Sequence, residues 1–299
     1  MGRVTERRRV VRVRDGAVSE RPDTLVVEEP LEIRLNGRPL AVTMRTPGDD
    51  FALAAGFLVS EGVLGSAREV DRIAYCGGAP APGGSANGSG TPDGTGAPDG
   101  TGSGDDRFNV VDVVLAPGVP VPDVALERHV YTTSSCGVCG KTSLDAVRTT
   151  TRWPLAHTPG TPLRLDHAVL ASLPDRLRAA QRVFDRTGGL HAAALFSADG
   201  EPLDVREDVG RHNAVDKLVG RAALENRLPL STGLLMVSGR ASFELVQKAV
   251  MAGIPALAAV SAPSSLAVDL AEEAGLTLVG FLRGSSMNVY AGADRLRLP

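Results

Sequence analysis

Two of the chain's three cysteines fall three residues apart in "TTSSCGVCGKTS", as Cys136 and Cys139, with Gly137, Gly140 and Lys141 around them. Four chemistries use such a pair. A zinc site needs four nitrogen or sulfur ligands. One C-x-x-C supplies two, leaving Cys76 and five scattered histidines to supply the rest, and the H-x-E…P-C-x-x-C pattern of zinc deaminases is absent because His191 follows the cysteines and precedes Ala192 and Ala193. A phosphate loop ending at Gly140-Lys141-Thr142 would need glycine where Ser135 stands. Thiol-disulfide exchange fits better, since a C-x-x-C at a helix start beside a lysine has a stabilised thiolate. The same thiolate can attack a sulfane sulfur and carry it as a persulfide, and C-x-x-C chemistry alone does not separate these two uses. Two inert buried thiols are the bland alternative, and Cys76, standing alone, reads as a small buried hydrophobe.

Three further stretches gather polar side chains. "EDVGRHNAVDK" (207–217) reads as a loop entering a helix, suited to a ligand-facing helix N-terminus or to a well-capped, solvated first turn. "SGRASFELVQK" opens another helix with Ser238, Arg240 and Ser242 able to face an anion, and the planar fork of Arg240 suits phosphate. "FLRGSSMN" (281–288) ends a strand in small polar residues, as a nucleotide-facing loop would. The cations available to such a ligand are Arg240, Lys217, Lys248 and Arg283; His191, after Gly188-Gly189, reads as a ligand, a proton carrier or a satisfied core residue.

The elements that must hold these groups are legible in the patterning. "TLVVEEPLEIRLNGRPLAVTMRT" alternates about Asn36-Gly37, a hairpin signal. "DDFALAAGFLVSEGVLG" predicts a helix capped by Asp49 or Asp50. "DRIAYC" and "FNVVDVVLAP" predict strands, "RHVYTTSS" another, and "KTSLDAVRTT" and "SLPDRLRAAQRVF" helices. From "LHAAALF" onward, short apolar strands alternate with helices, with Gly253 and Gly275 just past helix ends and Ser264 placed to cap the last helix. That alternation predicts a layered α/β domain whose ligands bind at strand carboxyl ends. The chain divides into a basic arm (1–22, solvated and partly disordered), a β-rich N-terminal domain (23–125) interrupted by a Gly/Pro-rich insertion (77–106), and an α/β domain (126–299). A net charge of −3 over 299 residues gives no broad basic field for nucleic acid, no apolar run reaches the roughly 20 residues of a membrane span, and three cysteines make no secreted disulfide framework. A soluble protein of the reducing cytoplasm is expected.

Taken together, "SSCGVCGK", "EDVGRHNAVDK", "SGRASFELVQK" and "GFLRG…MNVY" resemble the FdhD family of formate dehydrogenase accessory sulfurtransferases. The likeness begins near "EEPLEIRLNGRPL" and spares only the arm and the insertion. It implies a carrier that takes sulfur from a cysteine desulfurase and passes it to molybdenum bis(molybdopterin guanine dinucleotide) before that cofactor enters formate dehydrogenase. By position, Cys136 would bear the persulfide and Cys139 would assist or resolve it. The cofactor would meet Phe281, Leu282, Arg283, Gly284, Ser285 and Ser286, with Arg240 holding a phosphate, and no metal would be intrinsic. The resemblance further implies a three-layer, cytidine-deaminase-like α/β domain behind the smaller β-rich one, and a homodimer. A cofactor chaperone without sulfur chemistry and a general thiol-disulfide oxidoreductase are the competing functions.

Overall fold

The computed structural model describes residues 3–76, 108–121, 151–155 and 163–299. Where a solvated arm is expected, strands β1 (Thr5–Arg14) and β2 (Ala17–Val26) form an antiparallel ribbon. Asp15 and Gly16 turn it with φ of 50° and 80°, the left-handed pair a two-residue hairpin needs. That Asp-Gly signal lies within the charged run, and β2 extends past residue 22.

Strands β3 (Glu29–Leu35) and β4 (Arg38–Arg45) form the predicted hairpin about Asn36-Gly37, whose φ values are 51° and 78°. With β5 (Val70–Tyr75) and β6 (Val110–Leu115) they make a sheet in the order β4-β3-β6-β5, β3 and β6 running parallel. Helix α1 (Asp50–Ser60) follows β4, but neither expected carboxylate caps it. Asp49 pairs with Arg206 instead, at 2.9 Å. Asp50 is claimed by Arg45, whose Nε and Nη2 reach its two oxygens at 3.0 and 3.1 Å. Arg45 also donates to Glu29 at 2.9 Å and to Asn109 at 3.2 Å. Such a fully buried guanidinium is tolerable because its donors are shared out among acceptors. Tyr75 donates to the same Asp50, 3.0 Å away, and burial, with the Asp50 charge, pushes its phenol up to about 12.

The second half is built around a six-stranded sheet. A short parallel pair, β7 (Leu165–Asp166) with the C-terminal β14 (Leu296–Arg297), flanks it. Helices α2 (His167–Ala180) and α3 (Phe184–Thr187) precede strand β8 (His191–Phe196). Then come β9 (Pro202–Asp208), α4 (Arg211–Leu224), β10 (Leu234–Val237), α5 (Phe243–Met251), β11 (Ala256–Ala259), α6 (Ser265–Ala274), β12 (Thr277–Arg283) and β13 (Ser286–Ala291). The order is β13-β12-β11-β10-β8-β9: β10, β11 and β12 run parallel, β8 is antiparallel to both its neighbours, and β13 returns antiparallel beside β12. Gly275 ends α6 at φ 70°, Gly253 follows α5 at φ 69°, and the Ser264 hydroxyl caps Ala267 as expected. The fold is mixed α/β, with four sheets and six α-helices among the described residues. None of those helices is long and apolar enough to cross a membrane.

Alternation along the sheet feeds two cores. Leu235, Val237, Leu257 and Ala259 face one that holds α4, α5, α6 and also α1 and the four-stranded sheet. Leu234, Met236, Ala256 and Ala258 face a second, closed by Leu170, Leu173 and Leu177 of α2. The N-terminal sheet therefore shares a core with the larger one. Helices α1 and α4 meet there backbone on backbone: a Cβ at Gly220 would lie 1.8 Å from the Ala52 carbonyl oxygen, and one at Gly56 would lie 1.9 Å from that of Asp216. Only glycine permits α1 and α4 to meet this closely. Gly220→Ala is expected to lower stability by about 3 kcal/mol or more, because backbone atoms must give way. A guanidinium midpoint equal to the parent's would show that the two helices do not meet in this way.

Candidate functional site

The β10-α5-β11-α6-β12 run, with β9 parallel to it two strands away, brings several elements to one edge of the large sheet. The carboxyl ends of β9, β10, β11 and β12 lie there, as do the start of β8 at His191 and the N-termini of α4, α5 and α6. Free N–H groups and helix dipoles make such an edge receptive to anions. Backbone bonds stitch its loops together: Ser261 donates to Gly239 at 3.3 Å and Phe281 to Ser261 at 3.2 Å, while Ala241 and Pro263 form a parallel bridge. The side chain of Ser238 accepts from Ala192 at 2.9 Å, so this expected anion donor is tied to the start of β8.

His191 lies across Gly239: a Cβ there would be 3.5 Å from both Cε1 and Nδ1 of the imidazole and 3.9 Å from Cδ of Arg211. Burial first, then the Arg211 guanidinium, holds His191 below its ordinary value, with Asp208 opposing. Arg211 Nε is itself buried without a hydrogen-bond partner among the described residues. His212 Nε2 sits 3.3 Å from the Ser242 hydroxyl and 3.8 Å from Glu244. Burial pushes the Glu244 carboxyl up, but its own backbone N–H, Ser242, His212 and Arg211 together outweigh that and keep it below the usual range.

Most of "EDVGRHNAVDK" faces inward. Asp208 has no exposed surface; its Oδ2 takes Lys217 Nζ at 2.7 Å and the Thr46 N–H at 3.1 Å, and its Oδ1 takes the Gly210 N–H at 2.8 Å and Asn213 Nδ2 at 2.9 Å. Lys217 also donates to the Thr46 carbonyl, and Asn213 to that of Met44, at 2.8 and 2.7 Å. Lys248 lies 2.7 and 2.8 Å from the two oxygens of Asp216, which also accepts from Ser60 at 3.0 Å. Burial holds the Asp216 carboxyl above its ordinary range even so, with Lys248 and Ser60 pulling against it. Lys217 and Lys248, expected as cations for a ligand, are thus spent inside the protein, because each meets a carboxylate that burial leaves no other counterion.

Arg240 and Arg283 remain. Both are exposed, and neither side chain has a hydrogen bond or ion pair among the described residues. Arg240 stands between the end of β10 and α5. Phe281 to Ser286 are the last residues of β12, the Gly284-Ser285 turn and the first of β13. Phe281 is 39% exposed and adopts φ 51°, rare for a bulky residue, while Leu282 is fully buried in the second core and can offer a ligand only backbone. The neighbouring Gly280 has no room for a side chain, since a Cβ would sit 2.9 Å from Pro263 and 3.2 Å from the Ser261 carbonyl oxygen. Cys136 and Cys139 lie outside the described residues, as do the predicted strand and helix that flank them. Arg211, which sequence reasoning passed over, is the added member of the edge; its place as first residue of α4, after Gly210, was the available signal.

Fold and edge together define an α/β protein that presents helix N-termini, and arginines unpaired among the described residues, on one side of its main sheet. It belongs to the FdhD/NarQ family, whose profile matches residues 26–297. Over 298 residues it is 72% identical to the sulfur carrier protein FdhD of Streptomyces coelicolor, covering 100% of this chain and 98% of that one. It is 55% identical over 296 residues to the protein of that name from Mycobacterium tuberculosis, covering 99% and 100%. A crystal structure from Desulfotalea psychrophila, presented as a formate dehydrogenase accessory protein, shares the fold at a TM-score of 0.67 and 23% identity, covering 99% of this chain and 100% of that one.

The depressed His191 has a consequence for stability. The unfolded chain takes up this proton near 6.5, the folded chain only at lower pH. Unfolding free energy is therefore at its full value above that pH and falls as pH drops below it, before carboxylates near 4.5 protonate. In urea titrations across this window, His191→Gln should remove up to one proton's worth of the slope. An unchanged slope would mean that His191 is as solvated folded as unfolded.

Proposed function

We propose that this protein is a sulfur carrier that serves formate dehydrogenase maturation, taking sulfur from a cysteine desulfurase and delivering it to molybdenum bis(molybdopterin guanine dinucleotide). The observation that carries the reading is the 72% identity, along the whole chain, to a protein named as a sulfur carrier. The sequence "SSCGVCGK" supplies the thiols such a carrier requires. The Cys136 thiolate attacks the outer sulfur of a desulfurase persulfide, the S–S bond breaks, and the desulfurase thiolate leaves. Cys136 then holds the sulfane sulfur as a persulfide. For delivery, the Cys139 thiolate attacks the Cys136 sulfur, a Cys136–Cys139 disulfide forms, and the outer sulfur departs as hydrosulfide toward the metal of the substrate. An external dithiol returns the pair to its reduced state.

The substrate carries two guanine nucleotides and two pyrophosphates, so it needs cations and backbone donors that no internal carboxylate has already claimed. Arg240 and Arg283 meet that condition, and Arg283 belongs to the stretch from Phe281 to Ser286. In this reading Arg240 forks onto a phosphate, and the large sheet with its helices is a cytidine-deaminase-like scaffold that has lost its zinc ligands. The active form is a homodimer in the reducing cytoplasm, where the thiols stay available.

Two measurements test the reading. Intact mass after incubation with a cysteine desulfurase and free cysteine should show one added, reducible sulfur in the parent and in Cys139→Ala, but none in Cys136→Ala. No gain in any form, with an active desulfurase, would leave a cofactor-holding protein without sulfur chemistry. Separately, Arg240→Ala should weaken binding of guanosine diphosphate by roughly tenfold, the worth of a charge-assisted pair. Affinity within a factor of about two of the parent would remove Arg240 from the phosphate site.

A further inference from the structure

Two polar side chains of the carboxyl edge border one open space beside Gly239. His191 stands at the start of β8, and neither of its ring nitrogens hydrogen-bonds to a described residue. Arg211 opens α4; its Nε is wholly buried yet has no hydrogen-bond partner, and no carboxylate among the described residues forms an ion pair with it. The nearby acids are engaged elsewhere. Glu244 is held by its own backbone N–H, Ser242 and His212, and Asp208 has no exposed surface and is bound by Lys217, Asn213, Thr46 and Gly210.

Neither conformation nor crowding demands a glycine at 239. Its φ lies outside the left-handed region, and a Cβ would meet His191 Cε1 and Nδ1 at 3.5 Å and Arg211 Cδ at 3.9 Å, ordinary contact distances. Gly56 and Gly220 differ, since a Cβ there would strike backbone. What the missing side chain leaves at Gly239 is an opening between an imidazole and the stem of a guanidinium. The first turn of α4 adjoins it. Gly210 is the N-cap and no side chain caps this 14-residue helix, whereas Ser264 caps α6 and Glu244 accepts its own N–H at the start of α5.

An imidazole, a guanidinium fork and helix N–H groups thus converge as donors that no described acceptor occupies. Donors from three sources suit the three oxygens of a phosphoryl group better than the two of a carboxylate. Electrostatics agree: burial and then Arg211 disfavour charge on His191, and an anion between the two would favour both.

We propose that His191, Arg211 and the first turn of α4 form a phosphate-binding niche beside Gly239, additional to Arg240 and to the stretch from Phe281 to Ser286. The inference concerns an anion and no sulfur chemistry, so it does not rest on the sulfur-carrier reading.

Calorimetric titration of the full chain with pyrophosphate tests it. The parent should bind, and Arg211→Met, which keeps an apolar stem and removes the fork, should weaken binding roughly tenfold or more. Gly239→Ala should weaken it as well by filling the opening, with an unchanged thermal midpoint because its methyl meets only ordinary contacts. Circular dichroism separates lost binding from lost folding, and Gly239→Ala decides the matter if Arg211→Met does not fold. Guanosine diphosphate then identifies the source of the phosphate. If it competes with pyrophosphate and loses the same factor in the variants, a nucleotide seats its phosphates here. If the two bind together and the nucleotide is indifferent to the variants, the niche takes the free anion. A parent that binds no pyrophosphate, or folded variants that bind it as the parent does, would overturn the proposal. Loss in Arg240→Ala alone would leave the phosphate with Arg240 and remove this niche.

Discussion

Asp208 is the point on which the rest of the structure turns. Its carboxylate is wholly buried and satisfied by four donors drawn from three places: the end of β4 at Thr46, the turn at Gly210, and Asn213 and Lys217 of α4. A buried carboxylate is costly to leave unpaired, and so is a buried ammonium; each makes the other tolerable only while Thr46 and Asn213 take up the remaining lone pairs and donors. The group therefore joins the N-terminal sheet to the large one at a single register. It also fixes where α4 begins, and hence where Arg211, His212 and the helix dipole arrive at the carboxyl edge. The Arg45–Asp50 and Asp216–Lys248–Ser60 groups repeat the device, at the start of α1 and on the far side of the α1–α4 contact.

Much of the fold is legible in the sequence where local physics suffices. Asn36-Gly37, Ser264 and Gly275 act through their own backbone or their own side chain, and each behaves as its residue type requires. Strands β9 and β13 are harder to see. They are the edges of the large sheet, half-solvated and rich in charge or polar groups, so neither shows the apolar run that marks β8, β10 or β11. The ribbon at residues 5–26 hides for a related reason: with no core face it lacks clean alternation, and only Asp15-Gly16 betrays it. Asp49 and Asp50 look like caps because a carboxylate before a helix is usually solvated, whereas here partners far along the chain, or packed beneath, claim both.

The structure separates cations that the sequence does not. On sequence, Lys217, Lys248 and Arg240 read alike as cations available to a ligand. Their difference is set by helical phase. Asn213, Asp216, Lys217 and Gly220 fall at i, i+3, i+4 and i+7, which lays three polar groups and a glycine along one stripe of α4. A polar stripe ending in glycine is what a helix needs to bury a hydrogen-bonded face against another helix, and α1 is that neighbour. The stripe was therefore readable, but as packing rather than as binding. Arg240 lies on no such stripe and stays in solvent. What separates cations for a ligand from cations for the fold is whether a carboxylate can reach them without water.

Helix α6 runs from the anion-receptive edge to the opposite side of the large sheet. Its N-terminus, at Ser264, belongs to the anion-receptive edge; its C-terminus, at Gly275, lines a groove that holds Glu272, Asp294 and Arg295. Ten residues at about 1.5 Å each separate them by about 15 Å along the helix. A helix so placed sorts charge by direction: its dipole favours anions at the edge and cations at the groove. One helix thus presents opposite ends to opposite charges on opposite sides of the large sheet.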